Sequence, residues 1–315
     1  MPLRIAIGPS SFSEQDPAPL RLLEESGCTV VPNPFGRRLT EAEIIEHLQG
    51  VDGLVAGLEP LNRAVLRSTE HLKAIARVGI GVTNVDFDAA AERGIAVSST
   101  PQGPIDAVAE MTVAALLAIS RGIVPANRAL HEGHWEKFVG SGLVSAKVLI
   151  VGYGRIGRRF HELIRAFKPV VGVFDPYAED LETVPELKRF SALKQALEWA
   201  DVVSLHASGT ECILDGNAID AMKPGAVLLN SARGELVDEA ALVRALESGT
   251  VGSVWFDAYV SEPYDGPLSG FDQALLTPHI GTYTRQCRLD MELNAVRNLL
   301  RDLAAHGLPG LGEPS

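Results

Sequence analysis

An apolar run that ends in three spaced glycines lies nearly halfway along the 315 residues and limits the folds that the chain can adopt. The run Lys147–Val151 has the composition of a buried strand and leads directly into Gly152, Gly154 and Gly157, in the stretch VGYGRIG. Apolar side chains at helical spacing follow, so the stretch predicts a strand, a tight turn and a helix. A turn of this kind presents helix N–H groups to the phosphates of a dinucleotide.

An acidic residue follows at the spacing that a dinucleotide site requires. The next apolar run ends at Asp175, eighteen residues after Gly157, where about 20 are expected. Its carboxylate would accept hydrogen bonds from ribose hydroxyls and repel a 2′-phosphate, and the following PYAED offers no arginine to receive one. The sequence therefore predicts NAD rather than NADP as the cofactor.

The rest of the chain alternates short apolar runs with helical patterns, which predicts an α/β fold with parallel sheets. One series runs from the N-terminus to about residue 98, and a second begins at Lys147. A long apolar helix is expected over 104–122, and an amphipathic helix over 284–305, with Leu289, Leu293, Val296 and Leu300 on its apolar face. A second glycine pair, in VGIGVTN, lacks the third glycine, so a second dinucleotide site is not expected.

Charge and composition exclude several classes of protein. Lys and Arg number 28 against 40 Asp and Glu, a net charge of −12, so no basic surface for nucleic acid is expected. No apolar run reaches the length of a membrane span, and Met1–Gly8 does not resemble a signal peptide, so a cytoplasmic protein is expected. The three cysteines are widely separated, which argues against disulfides and a metal site.

Polar residues follow three of the later predicted strands, where parallel sheets bind their ligands. Arg233 comes after AVLLN, Asp257 ends VGSVWFD with Glu262 five residues later, and His279 lies in LLTPHIG. A nicotinamide reaction requires one group that positions a carbonyl and another that moves a proton. An arginine, a carboxylate and a histidine suit that chemistry.

Together with the glycine motif, these stretches resemble the D-isomer-specific 2-hydroxyacid dehydrogenases, and most of all the branch with the D-3-phosphoglycerate dehydrogenases. The resemblance runs from Val51 to about Cys287, with 29 residues from Arg233 to Glu262 and 17 from Glu262 to His279. It implies two Rossmann-like domains with parallel sheets, one flavodoxin-like and one NAD-binding, the second inserted into the first. The substrate-binding domain would comprise 1–98 and 284–315, the NAD-binding domain 99–283, and the protein would be a homodimer.

The resemblance also implies a role for each candidate residue. Arg233 would bind the substrate carboxylate, His279 would act as acid and base, and Glu262 would orient the imidazole. Arg77, Val78 and Gly79 would bind the substrate, a small anion, with Arg77 near its second anionic group. The cofactor would contact Gly152, Gly154, Arg155, Ile156, Gly157, Asp175, Ala207, Ser231, Ala232, Asp257 and Gly281, with Asp257 at the nicotinamide end.

Other residues are expected to be structural. Asp238 would cap a helix over 239–248, His206 would shape the cofactor site rather than act as a second base, and Trp135 would pack in the core or at an interface. The chain also departs from the family pattern: Thr83 replaces an aspartate, Pro104 an asparagine and Trp255 a small residue, and the loop 206–214 is short.

Two alternatives stay open at this point. One is an NAD-sensing interaction protein on the same fold, resembling the corepressors of the family, which also retain the arginine, glutamate and histidine. The other is a dehydrogenase of a small inorganic or one-carbon acid. We expect no regulatory domain after residue 315.

Overall fold

The computed structural model describes residues 2–178 and 186–307, which belong to two compact units. The first unit comprises the chain up to Pro104 and from Thr282 onward, and the second comprises Ile105–Gly281. The second unit is thus inserted into the first along the sequence. These boundaries differ from those predicted, after 98 and after 283, by six and two residues. Within 99–104, Thr100 exchanges hydrogen bonds with Gly79 of the first unit.

The first unit is built on a five-stranded parallel sheet with the order β2-β1-β3-β4-β5, the flavodoxin-like order. All four residues of the central strand β3 are buried, as expected for a strand covered on both faces. The strands are β1 (Arg4–Ile7), β2 (Thr29–Val31), β3 (Gly53–Ala56), β4 (Ala74–Arg77) and β5 (Ala96–Ser99).

Five helices of the described residues belong to this unit. The sequence predicts a capping box from Thr40 and from Glu43 three residues later, and the structure shows it at the start of the second helix. In the last helix Val296 and Leu300 are buried, but Leu289 and Leu293 are only half-buried, because packing against the sheet turns a different face inward. The helices are α1 (Ala18–Glu25), α2 (Glu41–His47), α3 (Arg63–Arg67), α4 (Phe87–Glu92) and, after the second unit, α11 (Arg285–Ala305).

The second unit is built on a seven-stranded parallel sheet with the order β12-β11-β10-β9-β6-β7-β8. This is the doubly wound dinucleotide-binding order with one further strand, and its direction reverses between β9 and β6, where such sheets bind ligands. The strands are β6 (Lys147–Val151), β7 (Val170–Phe174), β8 (Lys188–Arg189), β9 (Val202–Leu205), β10 (Ala226–Asn230), β11 (Val251–Phe256) and β12 (Ala274–Leu276). The two parallel sheets confirm the predicted fold class.

The long apolar helix predicted over 104–122 ends earlier, at Ser120. Gly122 has a φ of 59°, and beyond it the chain continues as a second helix at 63° to the first. Asp238 caps the helix predicted after it by accepting the Ala241 N–H. The helices are α5 (Pro104–Ser120), α6 (Ile123–His131), α7 (Arg155–Ile164), α8 (Leu193–Trp199), α9 (Gly216–Asp220) and α10 (Glu239–Ser248).

Within the described ranges no single helix is long and apolar enough to cross a membrane. Only α5 and α6 taken together, across their bend, reach the required length and composition.

Candidate active site

The glycine turn after β6 has the backbone geometry that a pyrophosphate requires. Gly152 has a φ of 91°, and a Cβ there would lie 2.5 Å from the Ala207 nitrogen. A Cβ on Gly157 would collide with the Gly152 carbonyl, so this glycine lets α7 pack closely on the strand. Gly154 faces open space, and α7 begins at Arg155 without a side-chain cap. The open face and the N–H groups of Arg155 and Ile156 therefore fit a dinucleotide phosphate.

Asp175 lies beside this turn, at the end of β7. One of its carboxylate oxygens accepts the Tyr153 N–H at 2.6 Å, and the other accepts the Tyr177 N–H at 2.8 Å. These bonds hold the carboxylate where a ribose would bind next to the glycines. Glu179 and Asp180, the last residues of the PYAED stretch, lie outside the described residues.

Tyr153, between the first two glycines, is anchored in a way that the sequence analysis missed. Its hydroxyl lies 2.7 Å from His161 Nδ1 on α7, and both side chains are buried. The Arg158 guanidinium stacks over its ring at 4.6 Å. The Tyr153–His161 contact thus connects the glycine turn to the second turn of its own helix. In the sequence, the aromatic residue in GYG is the signal for this contact.

The turn after β10 carries Ser231, Ala232 and Arg233. The buried Asn230 accepts the Ala232 N–H at 3.0 Å and donates to the Arg233 carbonyl at 2.9 Å. Arg233 Nη1 donates to the Ala232 carbonyl at 2.6 Å, which orients the guanidinium. A side chain on Gly234 would collide with the Tyr259–Val260 backbone. Asn230, which the sequence analysis did not single out, therefore shapes the turn that presents Arg233.

His279 and Glu262 form a hydrogen-bonded pair. The imidazole Nδ1 lies 2.8 and 3.0 Å from the two carboxylate oxygens, and the side chains are 39% and 24% exposed. Because an ionised carboxylate only accepts, Nδ1 carries a proton and the neutral imidazole keeps its lone pair on Nε2. Nε2 can therefore accept a proton or, in the imidazolium form, donate one.

Asp257 holds the loop that carries His279. The carboxylate is buried and accepts the Thr277 hydroxyl at 2.6 Å, the Ile280 N–H at 2.9 Å and the Gly281 N–H at 2.8 Å. Its donors thus lie on both sides of His279, whose φ is 54°. The contact of Asp257 with the nicotinamide stays a prediction.

His206 follows β9, next to Ala207. Its Nε2 lies 2.9 Å from the Ser204 hydroxyl, and its ring packs against Phe160 at 5.2 Å. Burial lowers the pKa of His206 to about 3, so the imidazole is neutral at ordinary pH. A neutral imidazole in this packed position is consistent with a structural role.

In the first unit, Arg77 ends β4 and Val78 and Gly79 follow it. The Val78 N–H donates to the Ala56 carbonyl at 2.9 Å, and the Gly79 N–H donates to the Thr100 hydroxyl at 2.8 Å. Both N–H groups that the resemblance assigns to the substrate carboxylate therefore have partners within the protein. Binding a carboxylate there requires an exchange of partners, and the assignment stays a prediction.

Glu59 is a buried acid that the sequence analysis did not single out. Its side chain is 1% exposed, packs against Gly8 and accepts the Gly57 N–H through both oxygens, at 2.9 and 3.0 Å. Burial raises the pKa of Glu59, and the positive charges of Arg77 and Arg38 oppose that shift. Arg77 therefore has a carboxylate in its electrostatic environment.

The fold and the glycine turn define a dinucleotide-binding protein, and residues 113–281 match the model of the D-isomer specific 2-hydroxyacid dehydrogenase NAD binding domain. The chain therefore belongs to the D-isomer-specific 2-hydroxyacid dehydrogenase family, with an NAD-type cofactor, as predicted. Within the family, several curated relatives are D-3-phosphoglycerate dehydrogenases, which supports the predicted likeness to that branch. The chain is 36% identical to the one from Mycobacterium tuberculosis over 241 residues, 75% of this chain and 46% of the relative. The chain thus spans about half the length of these curated relatives.

Other relatives match over nearly their whole length. The chain is 32% identical to the glyoxylate reductase of Thermofilum pendens, over 93% of this chain and 90% of the relative. Among solved structures, the TT0316 protein from Thermus thermophilus superposes with a TM-score of 0.87 and 34% identity, over 96% of this chain and 97% of that one. The glyoxylate reductase from Paecilomyes thermophila gives a TM-score of 0.83 and 30% identity, over 96% of each chain.

Proposed function

We propose that this protein is an NAD(H)-dependent oxidoreductase that interconverts a small 2-hydroxy acid and its 2-keto acid by hydride transfer. The observation that carries the proposal is the His279–Glu262 pair, which leaves Nε2 of the imidazole to exchange a proton. The family membership and the fit of the glycine turn to a dinucleotide support the nicotinamide half of the reaction.

In the proposed reaction, some residues bind the negative charge of the substrate and others transfer a proton. The chemistry that a bound cofactor would supply is hydride transfer, from NADH in reduction and to NAD+ in oxidation. Arg233 binds the substrate carboxylate and the carbonyl oxygen with its planar guanidinium. His279 delivers a proton from Nε2 to that oxygen during reduction and removes it during oxidation. Glu262 keeps the imidazole oriented by accepting the Nδ1 proton.

The finer part of the proposal concerns a second anionic group on the substrate. Arg77 would bind a phosphate, phosphonate or carboxylate there, and a charge-assisted hydrogen bond is worth about 1.5 to 3 kcal/mol. In its ionised form the Glu59 carboxylate acts against this, because its charge then interacts with the same guanidinium. We therefore expect a modest preference for such substrates over their neutral counterparts.

A homodimer is also proposed. Large apolar side chains lie exposed along α6 and the segment after it, which is the pattern of a surface that another chain covers. The exposed fractions are 54% for Ile123, 56% for Leu130, 82% for Trp135, 101% for Val139 and 72% for Val144. Trp135 was predicted to pack in the core or at an interface. Its exposure rules out the core of its own chain, so we propose that it packs at the interface.

The test is a screen for NADH oxidation with glyoxylate, hydroxypyruvate, 2-oxoglutarate, 3-phosphohydroxypyruvate and phosphonopyruvate. We expect turnover of at least one of these keto acids and its loss in His279→Ala. If none is turned over with NADH or NADPH while NADH still binds, the enzyme proposal is wrong and the NAD-sensing interaction protein becomes the better explanation.

A further inference from the structure

Trp255 is unusual for its position and has a specific polar contact. The resemblance places a small residue here in β11, yet the chain has a tryptophan that is fully buried. Its indole N–H donates to the Thr277 hydroxyl at 3.0 Å. The contact connects β11 to the residue that lies two positions before His279.

Thr277 lies at the centre of a chain of hydrogen bonds that runs from Trp255 through Thr277 to Asp257. This chain of bonds is called the relay. An indole N–H only donates, so the Thr277 oxygen accepts from Trp255 and its single proton is left for Asp257, at 2.6 Å. The Thr277 backbone takes part as well: its N–H donates to the Phe256 carbonyl at 3.0 Å, and its carbonyl accepts the His279 N–H at 2.9 Å. Every polar group of Thr277 is therefore engaged in holding this turn.

The relay ends on the other side of His279. Asp257 also accepts the N–H groups of Ile280 and Gly281, so the chain is held two positions before the histidine, at Thr277, and at the two positions after it. His279 itself has a φ of 54°, which non-glycine residues seldom adopt and which therefore requires support from its surroundings. The side chains of Trp255 and Thr277 supply that support through Asp257.

We propose that Trp255 and Thr277 are positioning residues that set the direction of the His279 imidazole for proton transfer. The inference rests on the proposed function, because it concerns the geometry of the proposed acid and base. Neither residue touches the reacting atoms; both act through Asp257 and the backbone of the His279 loop. The competing explanation is that Trp255 only fills the core of the second unit.

The first test compares Thr277→Val, which keeps the shape and removes the hydroxyl, with Thr277→Ser, which restores it. Misplacing a catalytic group by a small distance costs up to about 100-fold in rate. We expect Thr277→Val to lower kcat at least about ten-fold, by a larger factor than it weakens NADH binding, and Thr277→Ser to recover most of the activity. Equal kcat values in Thr277→Val and wild type would overturn the proposal.

The second test separates positioning from core filling. Trp255→Phe keeps an aromatic ring but loses the N–H, and Trp199→Phe is the matched control, because Trp199 packs against Phe190 elsewhere in the same unit. We expect Trp255→Phe to lower kcat about three-fold or more, and Trp199→Phe to change only the melting temperature. The effect of Trp255→Phe should vanish in the Thr277→Val background. If Trp255→Phe and Trp199→Phe lose similar stability and both keep the wild-type kcat, Trp255 is a core residue only and the proposal is wrong for it.

A third test measures hydrogen exchange, which does not depend on turnover and therefore tests the relay separately from the proposed reaction. Hydrogen exchange of the Ile280 and Gly281 amides, bonded to Asp257, reports directly on the relay. We expect at least about ten-fold faster exchange in Thr277→Val than in wild type or Thr277→Ser. If wild type turns over no keto acid, the proposed reaction fails, but faster exchange still supports the relay. Unchanged exchange rates contradict the relay whatever the activity.

Discussion

Glu262 accepts the Nδ1 proton of His279 through both of its carboxylate oxygens, at 2.8 and 3.0 Å. This bidentate contact selects one tautomer of the imidazole and leaves Nε2 as the reacting nitrogen. The pair lies in the same unit as Arg233 and the glycine turn. One inserted unit therefore carries the proposed acid and base, the proposed carboxylate-binding arginine and the cofactor turn.

Removing the imidazole should abolish most of the turnover. We expect His279→Ala to lower kcat by about 10²- to 10⁴-fold, the usual contribution of a general acid, with the NADH dissociation constant nearly unchanged. Steady-state kinetics and fluorescence titration with NADH measure the two quantities. The matched control is His306→Ala, at an exposed position after α11, which should behave like wild type. A kcat for His279→Ala within about three-fold of wild type would remove His279 from the mechanism.

Asp175 should determine the choice of nucleotide. Its carboxylate is held beside the glycine turn by the Tyr153 and Tyr177 N–H groups. Replacement by alanine removes hydrogen bonds worth about 1.5 to 3 kcal/mol to the ribose and also removes the repulsion of a 2′-phosphate. We expect kcat/KM for NADH to fall about 10- to 100-fold in Asp175→Ala, and NADPH to be favoured relative to wild type. Asp272→Ala, at an exposed surface position, is the control, and a wild-type preference for NADPH would contradict the prediction.

Stability should decline in mild acid because of His206. Burial lowers its pKa from 6.5 to about 3, so its contribution is fully present above pH 6.5 and is lost as the pH falls from 6.5 towards 3. One such group is worth about 1.4 kcal/mol per pH unit in that window. Between pH 7 and pH 5 the free energy of unfolding should therefore fall by about 2 kcal/mol more in wild type than in His206→Gln.

Urea unfolding at the two pH values measures this difference. His161, whose pKa burial also lowers, is present in both proteins, so the comparison isolates His206. The same pH dependence in wild type and His206→Gln would show that His206 is not the group responsible.

Arg77 and Glu59 should act in opposite directions on substrate choice. We compare kcat/KM for phosphonopyruvate with that for pyruvate, and expect Arg77→Ala to remove most of the preference for the doubly charged acid. At a pH where the Glu59 carboxyl is ionised, Glu59→Gln should enlarge the preference, because the guanidinium then loses an opposing charge. A preference that survives in Arg77→Ala, or that is absent from wild type, would contradict a second anion site at Arg77.

The exposed apolar side chains after α5 should form the contact between two copies of the chain. Light scattering of wild type is expected to give the mass of a dimer, and a double variant, Trp135→Ser with Val139→Ser, is expected to shift the mass towards the monomer. Tyr177→Ser, which replaces another strongly exposed side chain, serves as the control. A monomer mass for wild type at working concentration would exclude the dimer.

Features that depend on neighbouring residues could be predicted from the sequence. The strand, turn and helix around Gly152 and Gly157, the spacing to Asp175, and the helix caps at Thr40 and Asp238 all follow from local backbone and hydrogen-bond requirements. The alternation of apolar runs likewise predicted two parallel α/β sheets. The family resemblance then selected the candidate reacting residues.

Contacts between residues that are distant in the sequence depend on the tertiary fold. Trp255, Asp257 and Thr277 lie on or just beyond neighbouring parallel strands, so their contacts depend on the register of the sheet, which no local pattern encodes. The same holds for Gly79, whose N–H is taken by Thr100 from the adjacent strand end. Glu59 is buried against Gly8 only because β1 and β3 are neighbours in the sheet. The sequence shows which hydrogen-bonding groups the chain contains, but strand order and packing determine which of these groups contact each other.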